Sequence, residues 1–180
     1  MTITSNIDVA ALKTSGTSPQ EWLDRLAVPE AGDVVVKFRG EPGVGVGERF
    51  TKKLFLGVEK RGVEGLGGLC FWQVKNLGAE GSGSGTGGSN EEDSRDESIK
   101  LWLREWDPHV SLLYSDIEID EAKRKELEDV VLQSGITFDG YGDLSGWSGG
   151  MLWLVDTSKP ISEWKPLAER KLVGKEEDVY

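Results

Sequence analysis

The run Asp107-Pro108-His109-Val110-Ser111-Leu112-Leu113-Tyr114-Ser115-Asp116 alternates polar and apolar residues at the two-residue period of a strand. Its apolar members are Val110, Leu112 and, if the alternation breaks there, Leu113, with His109 and Ser111 on the opposite face. Tyr114 has the other parity from Ser111 unless the strand ends or bulges before it. The first residues, Met1-Thr2-Ile3-Thr4-Ser5, look like the tail of a second copy of the pattern. In that copy the histidine would stand one residue before Met1, so upstream coding sequence is expected to be missing. Thr2-Ile3-Thr4-Ser5 is by itself too common a pattern to define a site.

The rest of the chain alternates short strands with capped helices. Strands are expected at residues 1–6, at Val34, Val35, Val36 and Phe38, over 50–58, 136–138 and 151–155. Residues 40–47 and 140–146 read as glycine-rich turns. Ser18-Pro19-Gln20-Glu21 has the form of a helix cap with proline in the first turn, and Pro29 is expected to end that helix. Asp120 caps a helix running to about Gln133, with Leu127, Val130, Val131 and Leu132 on its apolar side and Ser134-Gly135 closing it. A final helix is expected over 162–172, broken or started near Pro166. Residues 78–90 are nearly all Gly, Ser and Thr, and 91–97 are acidic, so 78–98 reads as a disordered, solvated insert. Order resumes over 99–106 as a helix end. No βαβ glycine fingerprint is present, which points to a compact α+β protein and away from a dinucleotide fold.

With 180 residues, one substantial core or two small lobes sharing a cleft can be built. Seven tryptophans supply large core pieces, and a net charge of −11 argues against a broad DNA or RNA surface. Cys70 stands alone, which rules out an internal disulfide and fits a buried, inert thiol. No run is long and apolar enough to span a bilayer. Gly43 to Gly47 lacks the Gly-Lys-Ser/Thr ending of a phosphate loop, and the scattered Asp and Glu lack metal-ligand spacing, so neither cofactor nor metal is expected. Lys52-Lys53 could place one amine near an anion but reads more simply as charge on an exposed strand face; Trp147 and Trp153 could wall a cleft, with Trp153 more simply core.

His109 is the only histidine, and imidazole exchanges protons near neutral pH without large tuning. With Ser111 on the same face, it could supply one proton transfer of a cyclic phosphodiester hydrolysis, beside a hydroxyl for a phosphoryl oxygen. A rigid histidine that is only hydrogen-bonded locally satisfies the same pattern.

The run from Pro108 to Asp116 resembles the second histidine motif of the fungal 2',3'-cyclic-nucleotide 3'-phosphodiesterases, within the 2H phosphoesterase superfamily. Phe50-Thr51-Lys52-Lys53-Leu54-Phe55-Leu56 resembles that family's central strand. Gly149-Gly150-Met151 through Val155, then Lys159-Pro160-Ile161 and Glu163-Trp164-Lys165-Pro166, resembles its closing strand and tail. The resemblance implies two similar α+β lobes with antiparallel sheets facing one cleft, as a single bilobal domain over 1–180. It implies that His109 is an acid/base residue, that Ser111 and Thr2 hold phosphate, and that Tyr114 contacts substrate. The implied substrates are 2',3'-cyclic nucleotides and ADP-ribose 1'',2''-cyclic phosphate, in the metabolism of tRNA-splicing by-products. A monomer with Golgi association is implied as well. With one of two histidines, turnover is expected to be impaired; a non-catalytic nucleotide or RNA-end binding module is the alternative.

Overall fold

The computed structural model describes residues 1, 16–40, 43–76, 89–138, 140, 142 and 144–173. Within them lie four α-helices, α1 (Pro19–Arg25), α2 (Glu64–Lys75), α3 (Ser89–Glu105) and α4 (Glu121–Gln133). The strands are β1 (Val35–Lys37), β2 (Val44–Val46), β3 (Leu54–Gly57), β4 (His109–Leu113), β5 (Gly146–Ser148), β6 (Gly150–Val155) and β7 (Pro166–Leu172). They pair antiparallel in three small sheets, β1–β5, β2–β3–β4 and β6–β7. The class is α+β, as the sequence indicates. Residues 2–6 of the expected first strand and the first part of the insert, 78–88, fall outside the described residues.

Helix α1 begins with a reciprocal capping box. Ser18 Oγ accepts from the Glu21 N–H at 3.2 Å, and Glu21 Oε2 accepts from the Ser18 N–H at 2.8 Å. It stops at Arg25, short of Pro29, because Arg170 Nη1 reaches across from β7 to the carbonyls of Leu23, Asp24 and Leu26. That bond set ties α1 to β7 over a core of Leu23, Leu26, Leu66, Cys70, Leu154 and Leu172. Burial pushes the Cys70 thiol up to about 12, so it stays protonated and inert there.

A second core lies under β2–β3–β4. Val44, Leu54, Leu56 and Val58 pack on Trp102 of α3, and Leu127 and Val131 of α4 cover its edge. Val130 and Leu132, expected on the same apolar side, are exposed. Helix α2 has no clear signal in sequence because three of its residues are glycine, the poorest helix former after proline. Two of them are there for space. A Cβ on Gly67 would stand 2.2 Å from the Trp102 ring, and one on Gly68 2.3 Å from Ile99 Cγ1. The same contact explains α3: the acidic run expected to be solvated tether is helical, because Ile99 and Trp102 anchor its C-terminal half against α2. The insert reading of 78–98 is therefore corrected for residues 89–98.

Four further expectations change. The glycine-rich turn over 40–47 contains β2, and residues 50–52 form a 3-10 turn before β3. The final helix over 162–172 is a 3-10 turn (Ile161–Glu163) followed by β7, whose buried Ala168 and Leu172 follow a two-residue period. Residues 136–138 form a single bridge, Ile136 to Leu144, in place of a strand. None of the described helices is long and apolar enough to cross a membrane.

Candidate functional site

Directly paired residues of an antiparallel sheet share a face. In β2–β3–β4, Leu56 opposite Val110 faces the core, so Gly45, Phe55 and Ser111 form one row on the other face and Gly57 and His109 a second. Arg39 extends the second row, its N–H donating to the Gly57 carbonyl at 2.8 Å. The glycines keep this face low. A Cβ on Gly45 would lie 2.3 Å from Phe55 Cζ, and one on Gly57 2.8 Å from Arg39 Nη2. Phe55 and the Arg39 guanidinium thus lie across the sheet toward His109, with the Phe55 and His109 ring centroids 5.5 Å apart, edge to face.

Pro108, fully buried, fixes the entry to β4, and its carbonyl accepts from the Val58 N–H at 3.0 Å. His109, half-buried, then turns Nδ1 to the Asp107 carbonyl at 2.9 Å. A carbonyl only accepts, so Nδ1 carries the proton and Nε2 is the nitrogen that titrates. Among the described residues, Nε2 has no hydrogen-bond partner. Burial lowers the His109 pKa from its ordinary 6.5; the Asp107 carbonyl works the other way, and the Lys52 charge adds to the lowering. The net direction is down, which leaves Nε2 a free base at neutral pH.

Asp107 also joins two cations. Its Oδ2 accepts from Lys52 Nζ at 2.7 Å and its Oδ1 from Arg39 Nη2 at 3.2 Å. Burial acts to raise the Asp107 carboxyl, but the Lys52 hydrogen bond and the charges of Lys52 and Arg39 outweigh it and hold it below the usual range. Lys52 lies over Phe55, Nζ 4.3 Å from the ring centroid. The sequence reading of Lys52 as exposed strand charge is wrong: it closes the 3-10 turn and is mostly covered, and Lys53 is buried.

Ser111 shares the His109 face, and its hydroxyl donates to the Thr51 carbonyl at 2.9 Å. It can serve a phosphoryl oxygen only by leaving that partner. A bulge precedes Tyr114: Leu54 pairs with Leu113 while its neighbour Phe55 pairs with Ser111, so β4 carries an extra residue and Tyr114, just past the strand end, takes the parity of the His109 face. Its ring packs on Phe50 at 6.3 Å and Trp164 at 6.0 Å. Tyr114, Trp147, Trp153 and Trp164 line a mostly apolar cavity of about 590 Å³ that does not include His109 or Ser111. Trp153, expected in the core, is 61% exposed at that wall. Thr2 lies outside the described residues. Among them, no three His, Cys, Asp or Glu side chains gather as a metal site.

Sequence reading missed Arg39 and Asp107 and set Lys52 aside, since their convergence depends on pairing between segments 68 and 55 residues apart. The only local sign was Asp107 immediately before Pro108-His109.

A family model described as cyclic phosphodiesterase-like protein matches residues 1–172. Three curated relatives carry the name 2',3'-cyclic-nucleotide 3'-phosphodiesterase. The Phaeosphaeria nodorum protein is 34% identical over 174 residues, covering 96% of this chain and 79% of its own length. That of Neurospora crassa is 32% identical, covering 87% and 70%, and that of Yarrowia lipolytica 31%, covering 94% and 81%. No solved structure matches the chain.

Proposed function

The chain belongs to the cyclic phosphodiesterase-like family of hydrolases, and from that premise we propose that it opens 2',3'-cyclic nucleotides at the 3' bond, leaving a 2'-phosphate. The observation that carries this reading is the His109 ring, anchored at Nδ1 by the Asp107 carbonyl with Nε2 open on the Ser111 face. Ring opening needs a base for the attacking water and an acid for the departing ribose oxygen. Neutral Nε2 takes the first proton. Ser111 then donates to a phosphoryl oxygen, and the Tyr114 ring, at the rim with Phe50 and Trp164, packs against the sugar or base. Thr2 completes the phosphate contacts in this reading.

One imidazole performs one of the two transfers, so the 180-residue chain turns over slowly. A missing acid/base group typically costs roughly 10²–10⁴-fold. ADP-ribose 1'',2''-cyclic phosphate as second substrate, a role in tRNA-splicing by-products, Golgi association and a bilobal domain rest on family resemblance alone. The single histidine also favours a second reading, binding of the nucleotide without turnover.

Phosphorus NMR of a 2',3'-cyclic nucleotide incubated with the chain tests the proposal. Slow appearance of a 2'-phosphate, abolished by His109→Ala, is expected. Product equal in wild type and variant overturns the role of His109. Binding of product with no hydrolysis at any pH selects the second reading.

A further inference from the structure

The cleft face holds more positive charge than its own ion pairs consume. Lys52 and Arg39 converge on the single carboxylate of Asp107, which leaves one net positive charge beside His109 in a chain of net charge −11. Donors are left over as well. Lys52 gives one hydrogen bond to Asp107 and Arg39 gives one through Nη2, while Arg39 Nε is buried with no partner.

Placement matters as much as charge. Lys52 Nζ is held on one side by Asp107 at 2.7 Å and below by the Phe55 ring at 4.3 Å, and that ring touches His109 edge-on. Phe55 is also paired with Ser111. Asp107 and Phe55 thus hold the Lys52 ammonium in place near His109, whose titration its charge already influences, so a phosphate anion on the His109–Ser111 face finds a preorganised cation beside it. Beyond Lys52 lies a shallow hollow of about 380 Å³ lined by Val46, Gly47, Glu48, Arg49, Lys52 and Phe55, in which the Glu48 carboxylate and the Arg49 guanidinium offset each other in charge.

We propose that Lys52 and Arg39, aimed by Asp107 as a positioning residue, are the cation pair that binds the phosphate oxygens of the substrate at His109. The inference rests on the reading of this face as the phosphodiester site and adds to it the source of the charge that Ser111 alone cannot supply. Lys52 is the nearer contact; Arg39 contributes the charge of its partly exposed guanidinium, while its Nε stays buried against Gly57.

Calorimetric titration of the 180-residue chain with a nucleoside 2'-phosphate, and with the nucleoside lacking phosphate, separates charge recognition from ring packing. Lys52→Met should bind the phosphate form roughly ten- to hundred-fold more weakly, the size of a lost charged hydrogen bond. Its affinity for the bare nucleoside should not change, and Lys52→Arg should restore phosphate binding to within a few-fold. Asp107→Asn keeps the backbone carbonyl that anchors His109, so a weaker phosphate affinity there reports the clamp; tighter binding overturns the positioning role.

The lone histidine gives a second readout, its imidazole proton signal followed against pH. The charged groups acting on it are Lys52, the Asp107 carboxylate and the Met1 amino group. Lys52→Met should move its midpoint upward, a shift that a merely structural lysine at a distance would not produce. Equal phosphate affinity in wild type and Lys52→Met, with the His109 midpoint unmoved, overturns the pair. If the chain hydrolyses no cyclic phosphodiester, the proposed activity fails, but the binding comparison still decides the cation pair.

Discussion

The two faces of β2–β3–β4 are made from the same three strands and have opposite compositions. The core face presents Val44, Leu54, Leu56 and Val110 to a well-packed interior. The other presents two glycines, an aromatic ring, a histidine, a serine and, from beyond the sheet edge, an arginine and a lysine around one carboxylate. Apolar burial holds the first face in place, at about 25 cal/mol per Å² removed from water. On the second, small residues are used so that larger ones can lie flat and meet. Stability and the proposed chemistry thus fall on opposite faces of one sheet, and substitutions should separate them.

The sharpest contrast pairs His109→Ala with Leu56→Ala. Whatever turnover the chain has should fall by roughly 10²–10⁴-fold in His109→Ala, with the thermal midpoint nearly unchanged. Leu56 is 1% exposed, and truncating it should cost about 2–5 kcal/mol in denaturant unfolding while the folded fraction keeps its specific activity. If His109→Ala unfolds the chain as readily as Leu56→Ala does, His109 belongs to the scaffold and the division fails.

Gly45→Val tests whether the two faces are coupled. The new Cβ would stand 2.3 Å from the ring of buried Phe55, and overpacking of this kind costs about 1–3 kcal/mol. Phe55 is the common neighbour of Lys52 and His109, so the displaced ring should also shift the His109 imidazole signal. Destabilisation with that signal unmoved would mean the ring escapes toward solvent and the faces are independent.

Acidification comes next in size. The folded-state pKa of His109 lies below 6.5, with burial the first cause and the Lys52 charge an addition. Catalysis by neutral Nε2 should hold down to that value and then fall about tenfold per pH unit. The unfolded chain takes up this proton more readily than the folded one. The associated stability is therefore present above pH 6.5 and lost as pH falls through the folded-state value. An acid limb centred above 6.5 in the pH profile of kcat/KM would contradict the tautomer and burial described.

What could be read from the sequence divides along the same line. The capped helices α1 and α4 and the His109 strand were legible because caps and two-residue alternation are local signals. Helix α2 was not, since Gly67 and Gly68 trade helix propensity for close approach to Trp102 and Ile99. β7 was mistaken for a helix because its alternation is read only once β6 pairs with it. Around the candidate site, His109, Ser111 and Tyr114 lie within six residues of each other and are legible as one local pattern, whereas Arg39, Lys52 and Asp107 meet only through tertiary pairing.

Trp153 gives the smallest effect and tests the boundary of the core. As an apolar residue within Met151 to Val155 it reads as interior, and removing a buried tryptophan costs about 3–5 kcal/mol. In the fold it is 61% exposed, pairs with Glu169 on a two-stranded sheet and lines the 590 Å³ cavity beside Tyr114 and Trp164. Its neighbour Leu154 takes the buried side of β6. Trp153→Ala should therefore change unfolding free energy by no more than about 0.5 kcal/mol, the ordinary range for a surface site. Because the ring borders the cavity and not His109, it should weaken nucleoside binding while leaving the pH profile of turnover in place. A loss of several kcal/mol would place the tryptophan in the interior after all, and unchanged nucleoside binding would separate its ring from the Tyr114 surface.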